Sequence, residues 1–204
     1  MYIAGLNLPF TESQALNGLA FEEKAGKAVH MPAGKRGEYI TAAHAFALFG
    51  PTALFLVVVP LNKFVQPNWL AEYALPEVDT SVYNAARVGG SATIWLSGLL
   101  VRTSMKHLDA QWNYIGVRER PELVKTGPYR LVRHPMYSAI MLSMGGMVGA
   151  FWNWIPVSAL GILAVLFAIK MPMEENVMLR HEVIGPEYAA YKRKVPSRVI
   201  PYIW

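Results

Sequence analysis

Cysteine is missing from the 204-residue chain, which excludes disulfides, thiolate metal ligands and a cysteine nucleophile and leaves the redox compartment open. Charge is scarce too: 16% of residues are charged against 53% hydrophobic, too little polar surface for an ordinary soluble domain of this size. No GxGxxG, Walker loop or GxSxG elbow occurs, so soluble nucleotide chemistry has no foothold. No HExxH or comparable spacing supports a metal site, and His44, alone in an apolar run, reads as a helix-packing histidine. The net charge of +5 raises the question of nucleic acid. The basic residues, however, collect beside apolar segments rather than along one amphipathic face, so no nucleic-acid partner is expected. What is present is a small integral membrane protein with membrane lipids around it.

The expected fold is all-α: a polytopic helical membrane protein of about four transmembrane helices, with a C-terminal helical hairpin and a cytoplasmic amphipathic tail. Residues 1–38 form an N-terminal cytoplasmic or interfacial segment. They do not read as a signal peptide, because Glu12, Asn17, Glu22 and Glu23 interrupt the apolar residues. Thr11 followed by Gln14 is a capping-box signature, and Ala15, Leu16, Leu19 and Ala20 share a face, which predicts a short surface helix; His30–Glu38 reads as a linker. Residues 39–101 hold two packing helices. The first spans about Thr41 to Leu61, with Pro51 kinking it and Pro60 ending it, and the second about Ala85 to Val101, with Gly89, Gly90, Ser91, Ser97 and Gly98 for close approach. The polar connection 62–82 lies between them.

Residues 102–204 form the third region, with a transmembrane hairpin at 135–171. Between Arg102 and His134 stand seven Lys or Arg against three acids, which places this stretch, and with it both termini, in the cytoplasm. The hairpin has its tip at Asn153–Pro156, and Gly145 and Gly149 have small-xxx-small spacing. The fourth span is expected to end near Met171. An amphipathic helix from Glu174 follows, broken at Gly185-Pro186, and then a basic tail able to fold back as a lid.

Two charged clusters bracket the hairpin: Gly127 to Tyr137, with two arginines, a histidine and two tyrosines, and Lys170 to Glu175. Ionisable groups beside hydrocarbon mark a functional site. Arg133-His134-Pro135 also fits ordinary helix-start chemistry, Glu174 and Glu175 a solvated helix terminus, Lys170 a snorkelling anchor, and Tyr129, Tyr188 and Tyr191 interfacial aromatics.

In order, Leu123-Val-Lys-Thr-Gly127-Pro-Tyr129, Arg133-His-Pro-Met-Tyr137, a short apolar hairpin, Glu174-Glu175 and Gly185-Pro-Glu-Tyr188-Ala-Ala-Tyr191-Lys-Arg-Lys-Val-Pro196 resemble the isoprenylcysteine carboxyl methyltransferase family and its wider group of membrane methyltransferases. The resemblance covers about the last 95 residues. It implies a methyltransferase with S-adenosyl-L-methionine in a cytoplasm-facing pocket and a lipophilic acceptor entering from the bilayer. Carried over by position, Glu122, Leu123, Val124, Tyr129, His134, Pro135, Met136, Tyr137, Glu174 and Glu175 bind the cofactor, and Lys170 and Arg133 are the catalytic candidates. Lys170 stands where the family has an arginine that holds the acceptor carboxylate, a point charge in place of a bidentate fork. Tyr114 falls near the place of a family glutamine. The expected acceptor is an isoprenylcysteine-like carboxylate. Phosphatidylethanolamine N-methylation is the enzyme alternative, and a noncatalytic membrane scaffold is the alternative of another class. The membrane is a bacterial plasma membrane or the endoplasmic reticulum.

Overall fold

The computed structural model describes residues 21–27, 35–112 and 116–204; the helix expected over Thr11–Ala20 and the Tyr114 position lie outside the described residues. In chain order the helices are α1 (Arg36–Leu61), α2 (Asn68–Ala71), α3 (Thr80–Leu108), α4 (Pro135–Phe151), α5 (Trp154–Arg180) and α6 (Gly185–Lys194). Single 3-10 turns at Asp109–Gln111 and Gly127–Arg130 join them. Every named element among the described residues is helical, as the apolar runs require, since a helix satisfies its own backbone polar groups.

The long helices alternate in direction. The start of α1, the end of α3, the start of α4 and the end of α5 surround one cavity. At the opposite end, the last turn of α1 lies near the α4–α5 tip. Helices α1 and α5 are long and apolar enough to cross a membrane, while α4 is apolar but only 17 residues long. The 29-residue α3 is longer than either, with Arg87 and several Ser and Thr diluting its apolar content. Phe46, Phe49 and Leu56 of α1, Val88, Trp95 and Leu96 of α3 and Ile162 and Val165 of α5 stand exposed. So much exposed apolar surface on long helices belongs against lipid.

In lipid, packing replaces hydrophobic burial as the force between helices, so close approach matters most. The α3–α4 pair achieves it at glycine. A Cβ on Gly90 would come within 2.5 Å of Ala150 N and Gly146 O, and one on Gly149 within 2.7 Å of Ala86 O. This corrects the expectation that Gly145 and Gly149 join the two arms of the hairpin. Gly149 works with Gly146 against α3, whereas Gly145, Gly89 and Gly98 face open space. Phe55, Met144, Leu163, Phe167 and Met171 fill the contact among α1, α4 and α5.

The boundaries differ in further places, among them α3, which runs from Thr80 to Leu108 where about Ala85 to Val101 was expected. Helix α1 begins at Arg36, so the last residues of the expected linker are already helical, with Glu38 favourably placed in the first turn. The 62–82 connection is ordered against the hairpin tip: Asn153 caps α5 through Ile155 N (2.9 Å) and donates to Leu70 O (2.9 Å), and Gln66 donates to Phe151 O (2.6 Å). Helix α5 runs through Pro172 to Arg180 instead of ending near Met171. A single proline removes one backbone donor, and the bonds on either side carry the helix on. Glu174 and Glu175 are therefore mid-helix residues. The chain turns at His181–Ile184, and Gly185-Pro186, expected to break a helix, starts α6 with proline in its first turn.

Candidate functional site

The site is built where α4 begins. Pro135 occupies the first helical turn and His134 is the N-cap residue, with φ −124° and ψ 62°. Upstream, Gly127 turns the chain at φ +57°, a left-handed value glycine adopts without penalty, and the following 3-10 turn buries Tyr129. The Tyr191 hydroxyl of α6 donates to the Tyr129 carbonyl at 2.6 Å, which seats α6 against this turn.

The C-terminal segment then straps the same corner. Arg133 N donates to Ser197 O (3.0 Å), His134 N to Arg198 O (2.8 Å) and Ser138 Oγ to Val199 O (2.6 Å). The Arg133 guanidinium donates to Val195 O at 2.7 Å and also to Pro196 O. Behind this strap sits Glu175, whose side chain is 2% exposed. Its carboxylate accepts from Arg133 Nε (2.9 Å) and Nη2 (2.8 Å) and from Arg198 Nε (3.1 Å), and it lies 3.0 Å from Lys192 Nζ and 3.4 Å from His134 Nε2. A buried carboxylate among that many cations is fully compensated.

Glu174, the preceding residue, points the other way. Tyr137 Oη donates to its Oε1 at 2.5 Å, His134 Nδ1 is 3.5 Å from its Oε2, and Lys170 Nζ is 3.9 Å from Oε1 one turn earlier on α5. His134 bridges the two glutamates. The rings of His134, Tyr137 and Phe167 stack in sequence, with centroids 5.5 and 4.3 Å apart, and Lys170 Nζ lies 5.5 Å from the centre of Tyr137.

These groups face a cavity of about 420 Å³ between the start of α1, the end of α3, the start of α4 and the end of α5. The structure brings Glu122, Leu123, Val124, Tyr129, Arg133, His134, Pro135, Met136, Tyr137, Lys170 and Glu174 together on its walls. Glu175 is not on that wall; its oxygens are engaged by the strap and by Arg133. Three groups of cavity residues were not singled out as site residues from the sequence. They are Thr41, His44, Ala45 and Leu48 of α1, Gln111, Trp112 and Arg118 of the loop after α3, and Tyr188 and Tyr191 of α6. The spacing 41, 44, 45, 48 marks one helical face, a signal present in the sequence that nothing there directed toward this site.

Burial holds the tyrosine hydroxyls around the cavity in their neutral form. Desolvation, with the neighbouring Tyr191 and Glu174 adding to it, pushes Tyr129 well above the ordinary tyrosine range. Tyr188 moves the same way by burial and the charge of Glu175, and Tyr191 is pushed up to about 12 by burial, against the opposing pull of Arg133. At neutral pH these hydroxyls stay protonated, and that of Tyr191 donates to the Tyr129 carbonyl.

Fold and site together define a helical membrane protein with an ionisable cavity at one end of its bundle, with Tyr188 and Tyr191 of α6 on its wall. Residues 85–181 match the family model described as phospholipid methyltransferase. Curated relatives are the nickel-cobalt-cadmium resistance protein NccN of Alcaligenes xylosoxydans xylosoxydans, 36% identical over 88 residues, and the cobalt-zinc-cadmium resistance protein CzcN of Cupriavidus metallidurans, 33% identical over 111. Protein-S-isoprenylcysteine O-methyltransferase B of Arabidopsis thaliana is 33% identical over 88 residues. These alignments take in 41%, 50% and 42% of this chain and 38%, 50% and 42% of those proteins, so the chain spans half or less of the relatives it matches. Over residues 85–181 the chain is similar to the phospholipid methyltransferase family, and part of it to a protein-S-isoprenylcysteine O-methyltransferase. The matched segment holds α3 from Ala85 on, the Glu122–Tyr137 wall, Lys170 and Glu174. It starts earlier than the resembling motifs and stops ahead of Gly185–Pro196, so α1 and α6 complete the cavity from outside it.

Proposed function

We propose that this protein transfers a methyl group from S-adenosyl-L-methionine to the carboxylate of a lipophilic, isoprenylcysteine-like acceptor, at a cytoplasm-facing site in a four-span membrane protein. The observation that carries the reading is convergence: residues spread from Glu122 to Glu174 face one cavity. The volume, about 420 Å³, lies within the usual range for small-molecule sites, roughly 300–1,000 Å³.

The donor set fits the cofactor. The Glu174 carboxylate suits its cationic groups, the first turn of α4 offers a helix N-terminus for its carboxylate, and Tyr129, Tyr137 and Leu123 supply apolar and aromatic surface. Bound there, S-adenosylmethionine would supply an electrophilic methyl group whose transfer leaves a neutral thioether and, with a carboxylate acceptor, requires no proton to move. The chain's task is then to orient. Tyr137 and His134 hold the Glu174 carboxylate in place, Lys170 attracts the acceptor's anionic end, and the strap fixes Arg133 and His134 at the start of α4. Positioning of this kind contributes about 7–11 kcal/mol to such reactions.

The description of the matched family favours a second reading, N-methylation of phosphatidylethanolamine. That acceptor must lose a proton first, and Glu174 is the carboxylate placed to take it. Lys170 on the same wall opposes a cationic headgroup, which is why the carboxylate reading is preferred.

Titration calorimetry of the detergent-solubilised protein with S-adenosylhomocysteine tests the cofactor; absence of both heat and thermal stabilisation would return the chain to a noncatalytic scaffold. Methyl incorporation into a farnesylcysteine analogue, and not into phosphatidylethanolamine, is the outcome expected for the acceptor.

A further inference from the structure

The α1 wall of the cavity carries a polar group that no contact among the described residues explains. His44 sits in the helical stripe Thr41, His44, Ala45 and Leu48. Its ring stands nearly perpendicular to the stacked Phe167–Tyr137 pair, with centroids 5.0 Å from Phe167 and 6.0 Å from Tyr137. Its Nε2 is shielded from solvent and has no hydrogen-bond partner among the described residues. A buried ring nitrogen without a partner is an unmet desolvation cost, and such groups call for a ligand or a special role. Lys170 approaches the same Tyr137 ring from α5, so an imidazole and an ammonium share one aromatic partner at one end of the cavity.

Helix α1 lies outside residues 85–181, so this wall belongs to what the chain adds to the shared methyltransferase segment. A site that handles several acceptors with one methyl donor must distinguish them on surfaces other than the donor's. Beyond His44 the wall turns apolar, through Leu48 and Phe49 of α1 and Ile140 of α4, and Phe49 is 65% exposed on the outer surface. A headgroup at His44 and Lys170 would therefore have its tail directed along apolar side chains toward lipid.

We infer that His44 is an acceptor-binding residue, its imidazole N–H and the Lys170 ammonium together grasping the carboxylate of a lipophilic acid whose tail lies along Leu48, Phe49 and Ile140. The inference rests on the methyltransferase reading for what happens to the carboxylate, but the binding it describes needs no cofactor. Lysine alone is a point charge without a fork; a second donor from α1 supplies the missing direction. The same pair selects against amine headgroups.

The test compares binding of a farnesylcysteine analogue bearing a free carboxylate with binding of its carboxamide, by calorimetry in detergent and without cofactor. The parent protein is expected to bind the acid about tenfold or more tightly than the amide, the scale of a hydrogen bond to a charged group. His44→Phe, which keeps a ring against the stacked Phe167 and Tyr137, should lose most of that preference, and His44→Gln, which retains an N–H donor, should recover part of it. S-adenosylhomocysteine binding by both variants reports that the fold is intact, and in turnover His44→Phe should raise KM for the acid with little change in kcat. A parent that prefers the amide or does not discriminate overturns the inference, as does a His44→Phe variant that binds the acid like the parent. Failure of the parent to bind S-adenosylhomocysteine would instead count against the cofactor reading, a separate result.

Discussion

Two adjacent glutamates do opposite things, and substitution should separate them. Glu174→Gln and His134→Ala are expected to weaken S-adenosylhomocysteine binding by about tenfold or more, the loss of one charged hydrogen bond, while the protein still inserts and purifies normally; calorimetry checks this. Glu175→Ala should act on stability. It leaves Arg133, Arg198 and Lys192 without their shared carboxylate, a break that costs about 3–5 kcal/mol when it strands buried charge. A lowered Tm in detergent and faster tryptic cleavage between Lys192 and Arg198 would reveal it. Lys170→Ala should raise KM for an anionic acceptor and leave cofactor affinity largely unchanged. An alkaline signature is also expected. Because the neutral Tyr191 phenol is favoured in the fold, its pKa is raised to about 12 from about 10. The unfolded chain loses this proton first, so the stability it contributes is intact below about pH 10 and is lost as pH rises toward 12. Tyr191→Phe should flatten that part of the stability-versus-pH curve.

Among the elements, the α3–α4 pair is the joint most sensitive to volume. Gly90→Val would push side-chain atoms into backbone, since even a Cβ there meets Ala150 N and Gly146 O at 2.5 Å, and overpacking of this kind costs about 1–3 kcal/mol or more. Gly89→Ala, one residue away, adds a Cβ with nothing within 4 Å and should leave Tm unchanged or slightly raised. Thermal unfolding of the two variants side by side tests whether α3 approaches α4 through this face. The same joint shows how far pattern reading reaches. The small residues of α3 and α4 announce close contact, but adjacent glycines such as 89 and 90, or 145 and 146, differ by about 100° around a helix of 3.6 residues per turn, and only the partner's position selects between them. Helix α5 is the complementary case: Pro172 looks like a stop, yet packing of Phe167 and Met171 on one side and the Glu175 cluster on the other holds the helix through it.

For the whole molecule, the proposed topology has four crossings, with the basic Arg102–Arg133 stretch and the cavity on the cytoplasmic side. The absence of cysteine makes this directly measurable, because each introduced cysteine is the chain's only thiol. In intact cells, Lys63→Cys and Glu77→Cys should react with a membrane-impermeant maleimide, whereas Arg130→Cys and Arg193→Cys should react only after permeabilisation; the reverse pattern would invert the topology. Composition and motif order alone pointed to the helical membrane class and to the hairpin with its two charged mouths, while the residues from Glu122 to Glu174 were named through the family resemblance. These depend on local chemistry: apolar runs long enough for a bilayer, a proline that starts a helix, and charge placed beside hydrocarbon. Only the tertiary structure decided that Glu174 faces the cavity and Glu175 the strap, that Gly146 replaces Gly145 in the helix contact, and that His44 joins the site from a helix some ninety residues away from Tyr137. Those outcomes depend on the rotation of each helix about its axis and on which neighbour meets it, and both are settled by packing across the bundle.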